Sequence, residues 1–312
     1  IGLRITIIVL TKPKVMIGTI QHQYIKNWDL MTEIKYPTIF EKSDSKSITA
    51  QKNFINLNKG ILILLVISTF VSSIKTDNGW ITLISSILLV VSLLLTILIM
   101  VFQPEKTWYD GRAIAESAKS LTWKFITGTK PFSFNLKSSD AEEKLIKNLK
   151  QIIGQKKEFF QLIGEEFGEG DQITKSMVKL RKLDLNEKID FYSTQRLEKQ
   201  RKWYYDKSKE NRKNKNLSFG AIITFQVLAI VSLILDYYGI IDFLTTPLMA
   251  CLASSFIAWL QLKRFQELTE SYGITATELN LIKSKVRHIK NESDFENFVD
   301  DAETAISREH TL

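Results

Sequence analysis

From Trp80 to Phe102 the chain runs for 23 residues without a charge and is dominated by Leu, Ile and Val. At a rise of about 1.5 Å per residue, such a helix crosses a hydrocarbon core of roughly 30 Å, so the chain reads as an integral membrane protein. Pro104 then kinks the exit or opens a new first turn. Beyond it Trp108, Arg112, Glu116 and Lys119 recur at three- and four-residue spacing, with Trp123 further along. The membrane helix is therefore expected to feed a charged helix flanked by tryptophans.

A weaker apolar stretch precedes it. Gly60 to Ile74 is uncharged for only 15 residues and reaches spanning length when Phe54, Ile55 and Leu57 extend it. With the polar turn Lys75-Thr76-Asp77-Asn78-Gly79 it makes a hairpin with Trp80–Phe102. The pattern returns about 160 residues later, as Leu217 to Leu235, a turn from Asp236 to Asp242, and Phe243 to Leu262. The chain thus reads as a degenerate tandem repeat, each copy a polar aromatic helix, a hairpin and an emergent helix. The expected fold is an all-α integral membrane protein with two 2-TM helical hairpins, four TM helices in all, and long cytoplasmic helices.

Expected boundaries follow. Residues 1–21 are an unassigned N-terminal extension, because the apolar run Ile5–Leu10 is too short to span and no small-residue cleavage site follows it. Residues 22–132 form the first unit, with spans at about 57–74 and 80–102, and with Tyr24, Trp28, Tyr36, Phe40 and Phe54 anchoring polar helices broken at Pro37. Residues 133–180 are a linker and a cytoplasmic helix carrying Leu145, Leu149, Ile152, Phe159 and Ile163, with Asp140 and Glu143 resembling its capping box. Residues 181–290 form the second unit, with spans at about 217–235 and 243–262. Its first helix starts near Asn186, carries Tyr192, Arg196, Gln200 and Trp203, and enters the apolar block without a breaker. Residues 291–312, rich in Asp and Glu from Glu292 to Glu303, read as a solvated, partly disordered acidic tail.

Lys and Arg total 42 against 34 Asp and Glu, and residues 103–216 alone hold 25 basic and 17 acidic side chains. That excess invites a nucleic-acid reading, but positive charge beside spans is what membrane topology alone produces, and no nucleic acid is expected as a partner. Lys52, Lys59, Lys106, Arg112, Arg212, Lys213, Lys215, Lys263 and Arg264 sit at the span ends away from the turns, against Lys75 within them. Both termini are then expected in the cytoplasm, with the protein multi-pass in the cell (inner) membrane. Cys251 is the single cysteine, which rules out an intrachain disulfide, and His22, His288 and His310 lack metal-ligand spacing. No P-loop, GxGxxG, GxSxG or HExxH is present, and Glu165, Glu166 and Glu169 would repel phosphate from the Gly164–Gly170 stretch. Catalytic residues, cofactors and metals are therefore not expected.

Residues Trp108-Tyr109-Asp110-Gly111-Arg112-Ala113-Ile114-Ala115-Glu116-Ser117-Ala118-Lys119-Ser120-Leu121-Thr122-Trp123, closing at Pro131-Phe132, resemble the post-hairpin signature of the SLATT family. These are two-transmembrane effector domains found beside SMODS nucleotidyltransferases and SLOG ligand sensors. Tyr192, Arg196, Gln200, Trp203 and Tyr204 before the second hairpin are similar to another branch of that family. So are Trp259, Gln261, Glu267, Leu268, Tyr272, Ala276 and Leu279 after it. The likeness covers most of residues 24–290 as two fused copies. It implies a membrane effector of prokaryotic antiviral defence, forming pores or channels when a nucleotide-type signal is sensed. No nucleotidyltransferase or SLOG segment is recognisable here, so the sensor would be a separate protein.

Polar residues inside the spans are the candidates for a conducting path. Ser85, Ser92 and Thr96 fall at i, i+7 and i+11 on one stripe, Thr69 and Ser73 form an i, i+4 pair, and Gln226 sets an amide well inside the third span. Such a hydroxyl stripe either lines a water-filled pore or lets helices pack closely. Ala250, Ser254 and Ala258 form a small-xxx-small repeat for packing within the hairpin or between subunits. Four spans scarcely enclose a pore, so a symmetric dimer or tetramer is expected, conducting ions across the lipid bilayer. A nucleotide second messenger or a separate sensor protein is the candidate gating partner. A non-conducting membrane scaffold or signal-transducing anchor would share the topology, and no TVGYG filter makes an ion selectivity legible.

Overall fold

The computed structural model describes residues 34–74, 79–164, 169–240 and 245–311, and every regular element among them is helical. Ile5–Leu10, His22, Tyr24, Trp28, the turn residues Lys75 to Asn78, Glu165, Glu166 and residues 241–244 lie outside the described residues.

Helix α1 (Thr38–Ser72) starts at Pro37, whose backbone is extended, and runs unbroken for 35 residues, about 52 Å at 1.5 Å per residue. The weak first apolar stretch is therefore the far end of a longer rod. Helix α2 (Gly79–Phe102) returns along it, and Gln103 then turns left-handed, with φ 42° and ψ 51°. Proline disfavours helical geometry in the residue before it, and at the first helical position its missing N–H costs nothing. Pro104 accordingly ends one helix and opens α3 (Pro104–Thr127), which packs back against α1.

Helices α4 (Ser138–Gln155), α5 (Lys157–Ile163) and α6 (Lys175–Arg181) flank α3. Two local expectations change here. Asp140 does not cap: α4 begins at Ser138 after Lys137, which puts Asp140 inside the first turn, where a negative charge still suits the helix N-terminus. The stretch expected as one helix to Ile163 also breaks, because Lys156 leaves helical geometry at φ −123° and ψ 41°.

The second copy repeats the packing of the first. Helix α7 (Leu185–Tyr192) opens on a true capping box, Asp184 Oδ1 accepting from Glu187 N at 2.8 Å and Glu187 Oε2 from Asp184 N at 3.1 Å. A π-helical segment (Ser193–Glu198) joins it to α8 (Lys199–Tyr237), giving a 53-residue rod. Helix α9 (Thr245–Leu262) returns, Arg264 turns left-handed at φ 49° and ψ 35°, and α10 (Phe265–Ser284) packs back on α8 as α3 does on α1. No proline enforces this second turn. Phe265, buried in the core at its far side, holds the new direction instead.

Residues 291–312 are not a solvated tail. Glu292–Thr311 form α11, and Phe295, Phe298, Val299, Ala302 and Ile306, at i, i+3, i+4, i+7 and i+11, are buried on one face, where the helix meets α3 and α10. Its acidic side answers basic neighbours: Asp300 pairs with Lys124 and Asp301 with Lys285, both at 2.7 Å, and Glu296 accepts from Lys130 N at 2.9 Å.

Four helices are long and apolar enough to cross a membrane, and the chain is a multi-pass membrane protein. Their outward side chains, such as Ile63, Leu83, Leu93, Ile223, Ile230 and Leu233, are at least 47 % exposed, an apolar surface suited to lipid and not to water. Aromatic residues mark its borders: Trp80, Tyr237 and Tyr238 near the hairpin tips, Trp108 and Trp259 at the opposite ends.

Close approach of α3 to α1 and α5 depends on Gly111, where a Cβ would lie 3.0 Å from Ser43 O and 3.1 Å from the Phe159 ring. Gly111→Leu is expected to lower stability by about 1–3 kcal/mol through overpacking. Gly154→Ala, which meets nothing within 4 Å, is expected to raise it by about 0.5 kcal/mol. Thermal unfolding in detergent measures both.

Candidate functional site

The signature residues of the two copies converge outside the spans. Trp123, near the end of α3, is buried, and its indole N–H donates to Tyr36 Oη at 3.1 Å. Its ring meets Phe191 at 5.6 Å and Tyr192 edge-on at 5.7 Å. Tyr192 in turn meets Phe295 and Phe298 of α11 at 6.3 and 6.0 Å. One aromatic core thus joins the first copy's emergent helix, the start of the long rod and the C-terminal helix.

Within it Arg196 and Glu303, 2 % and 1 % exposed, form a bidentate pair. Nε donates to Oε1 at 2.9 Å and Nη2 to Oε2 at 2.8 Å, while Tyr192 Oη donates to the same Oε1 at 2.9 Å. Burial alone would pull the guanidinium pKa down, but the Glu303 carboxylate outweighs it and holds Arg196 above the usual arginine range. Burial, with Glu303 adding to it, pushes the Tyr192 phenol well up. Arg196 and Tyr192 therefore keep their protons at physiological pH. Arg196 lies within the π-helical segment, a feature that inserts an extra residue into the turn and re-aims side chains, often at functional sites.

Nearer the spans, Arg112 pairs with Glu116 at 2.9 Å and with Asp44 of α1 at 3.5 Å. Glu116 is only 6 % exposed, so this pair is far better shielded than a solvated i, i+4 contact. Burial pulls the Lys119 pKa down, Glu116 opposes that, and Nζ lies 5.7 Å from the Phe40 ring centroid. Trp108 stacks on Tyr109 at 4.7 Å, and its carbonyl accepts from Ser47 of α1 at 3.0 Å. Trp203 meets Tyr204 at 5.1 Å and Tyr272 at 5.4 Å, and Gln200 is half-buried on the same rod.

Inside the membrane the polar residues separate into two groups. Ser85 and Ser92 are buried in the first hairpin, and Ser85 shares hydrogen bonds with Ser68 of α1, hydroxyl to hydroxyl at 2.9 Å. Thr96, itself exposed, returns its hydroxyl to Ser92 O at 3.0 Å, and buried Ser73 returns its own to Thr69 O at 2.7 Å. Thr69 bonds to Leu65 O at 2.8 Å and reaches Cys251 Sγ of α9 at 3.4 Å, tying the hairpins together. The second hairpin has its own hydroxyl seam, Ser232 with Thr245 and Thr246. By contrast, Gln226 is exposed at mid-span, and its amide has no hydrogen-bond partner among the described residues. Ala250, Ser254 and Ala258 are also exposed, the Ser254 hydroxyl returning to Ala250 O at 2.9 Å.

Sequence reasoning missed Glu303, which it left in the tail. The signal was present in the apolar spacing of α11. Among the described residues no group of His, Cys, Asp or Glu could hold a metal.

Two family models match the chain in tandem. SMODS and SLOG-associating 2TM effector domain 3 matches residues 37–189, and SMODS and SLOG-associating 2TM effector domain 1 matches residues 192–312. The second match opens at Tyr192 and includes α11. No curated protein and no solved structure matches.

Glu303→Ala strands a buried guanidinium and is expected to lower stability by about 3–5 kcal/mol. The double variant Arg196→Met with Glu303→Leu is expected to lose far less than the sum of its singles, because no uncompensated charge remains. Melting temperatures of the two singles and the double in detergent read the coupling.

Proposed function

We propose, since the chain belongs to the SLATT family with two of its 2TM effector domains fused in tandem, that it is an oligomeric ion-conducting effector of prokaryotic antiviral defence. It lies in the inner membrane with both termini cytoplasmic, and a cytoplasmic signal acting on the motif centre opens it. The conducting unit is a symmetric dimer or tetramer. In a dimer the four hairpins surround one axis with pseudo-fourfold symmetry.

Gln226 carries this reading. An amide at the middle of a span cannot stay unpaired in hydrocarbon, so it needs a partner helix or water. The chain offers it neither among the described residues, and a neighbouring subunit or an aqueous path supplies what is missing. The outward stripe Ala250, Ser254 and Ala258 supports self-association through the same hairpin, since small residues let helix backbones approach. The Ser85 hydroxyl is bonded to Ser68 within the first hairpin and Ser92 is buried there, so in this reading the path falls to Gln226 before them. Basic charge over 103–216 serves topology and the acidic α11, and no nucleic acid is assigned to it.

Proteoliposomes loaded with potassium, sodium or chloride test the proposal. Wild-type protein is expected to leak ions, and Gln226→Leu to change the flux about tenfold or more with oligomer size unchanged. Well-formed oligomers that leave the liposomes sealed, with candidate nucleotides and a sensor protein tried, would make the protein a membrane scaffold.

A further inference from the structure

The two hairpins touch where Thr69 reaches Cys251, and from there away from the tips a groove of about 320 Å³ lies between them. Helix α1 lines it from Lys59 to Ile67 and α9 from Leu252 to Trp259. The eight steps from Lys59 to Ile67 make it about 12 Å long at 1.5 Å per residue. Its walls are apolar: Ile63 and Ile67 of α1, 47 % and 43 % exposed, line it opposite Leu252 and Phe256 of α9. Phe256 is braced from behind by Phe225 of α8, ring centroids 5.7 Å apart. At this depth the surroundings are acyl chains, and a void would forfeit dispersion contacts along both walls.

One end of the groove is charged. Lys59 is its one charged lining residue, and Trp259 at the same end has Lys263 Nζ 5.8 Å from its ring centroid. Neither lysine forms an ion pair among the described residues. The sequence has no acid between Asp44 and Asp77, nor between Asp242 and Glu267, so the helices that carry these cations bring no counter-charge to the groove. Glu210 of α8 acts on Lys263 from a distance but is itself paired with Lys207 at 2.7 Å.

We propose that the groove takes one acyl chain of an anionic phospholipid, whose phosphate is held by Lys59 and Lys263. Lysines at span ends lay their stems along apolar surface and hold the ammonium at headgroup depth, where Trp259 also sits. A basic pocket between spans suits an anionic headgroup, and the ammonium–phosphate bonds are charge-assisted. A second copy of the chain would cover the same apolar walls, but its four spans carry no acid and would leave both lysines unanswered. Seated there, the lipid keeps the hairpins spaced on one side of the Thr69–Cys251 contact and so sets the angle between the two copies. This binding holds whether or not the assembly conducts.

The test is native mass spectrometry of the full chain released from micelles that hold equal amounts of phosphatidylglycerol and phosphatidylcholine. Wild-type protein is expected to retain one phosphatidylglycerol per chain, about tenfold over phosphatidylcholine, and soluble glycerol 3-phosphate is expected not to displace it. Lys59→Gln with Lys263→Gln is expected to abolish the preference, and arginine at both positions to keep it. Lys150→Gln, the same loss of charge at an exposed site on α4, is expected to leave it unchanged. Ile63→Trp, which fills the groove with both lysines intact, is expected to lower phosphatidylglycerol retention about tenfold. Melting temperatures measured alongside separate these losses from misfolding. Equal retention of the two lipids, or a preference indifferent to the double lysine change, overturns the proposal. Displacement by glycerol 3-phosphate, or full retention by Ile63→Trp, overturns it by showing an anion site without a chain. A lipid-indifferent wild type whose oligomer size changes on Ile63→Trp overturns it in favour of a contact between copies.

Discussion

A guanidinium and a carboxylate withdrawn together from water hold the start of the long rod to the C-terminal helix, and through it to the first copy. Against a well-packed apolar pair, a buried ion pair such as Arg196–Glu303 adds little net stability, yet losing either member is severe. Its value lies in selection among alternatives. Only one rotation of the long rod and one register of α11 bring Nε and Nη2 onto the two carboxylate oxygens while Tyr192 reaches the first of them. The π-helical segment is the local means to that end, because it re-aims Arg196 within an otherwise continuous helix. Once α11 is fixed, Asp300 and Glu296 bind it to the first copy at Lys124 and Lys130, and the two copies share one core.

The spans obey a different constraint. Lipid tails are as apolar as leucine, so no hydrophobic force draws the spans together, and association falls to close packing and hydrogen bonds. Each hairpin supplies both with a short hydroxyl seam, Ser68 with Ser85 and Ser232 with Thr245. Outside those seams the span surfaces stay open. The freedom that remains is concentrated at Gln103 and Arg264, the only non-glycine residues with positive φ among the described residues. A left-handed conformation costs a side-chain-bearing residue about 1–2 kcal/mol. Its recurrence at the same point of both copies marks the exits as the places where direction is decided.

The sequence made some of this legible and hid the rest for identifiable reasons. Trp80–Phe102 announced a span because length and apolarity act locally, and the 160-residue spacing of the hairpins announced the repeat. The Gln103 turn was legible through Pro104, which acts on its neighbour by sterics alone. The Arg264 turn was not, since nothing around it breaks a helix and its cause is the burial of Phe265 in a core assembled from distant segments. Charge misled at the C-terminus. The acids of α11 outnumber its apolar residues and suggested solvation, while the 295, 298, 299, 302 and 306 spacing carried the truer signal. Of the stripe Ser85, Ser92 and Thr96, the two serines are buried and Thr96 is exposed, and a helical face alone does not say whether a lumen or a neighbouring helix covers it.

Gln226 and Arg196 lie on the same rod, 30 residues and about 45 Å apart at 1.5 Å per residue. A helix of that length transmits rotation along its axis with little loss, because each turn is bonded to the next. The orientation of the mid-span amide is thus tied to the ion pair that holds the rod's other end.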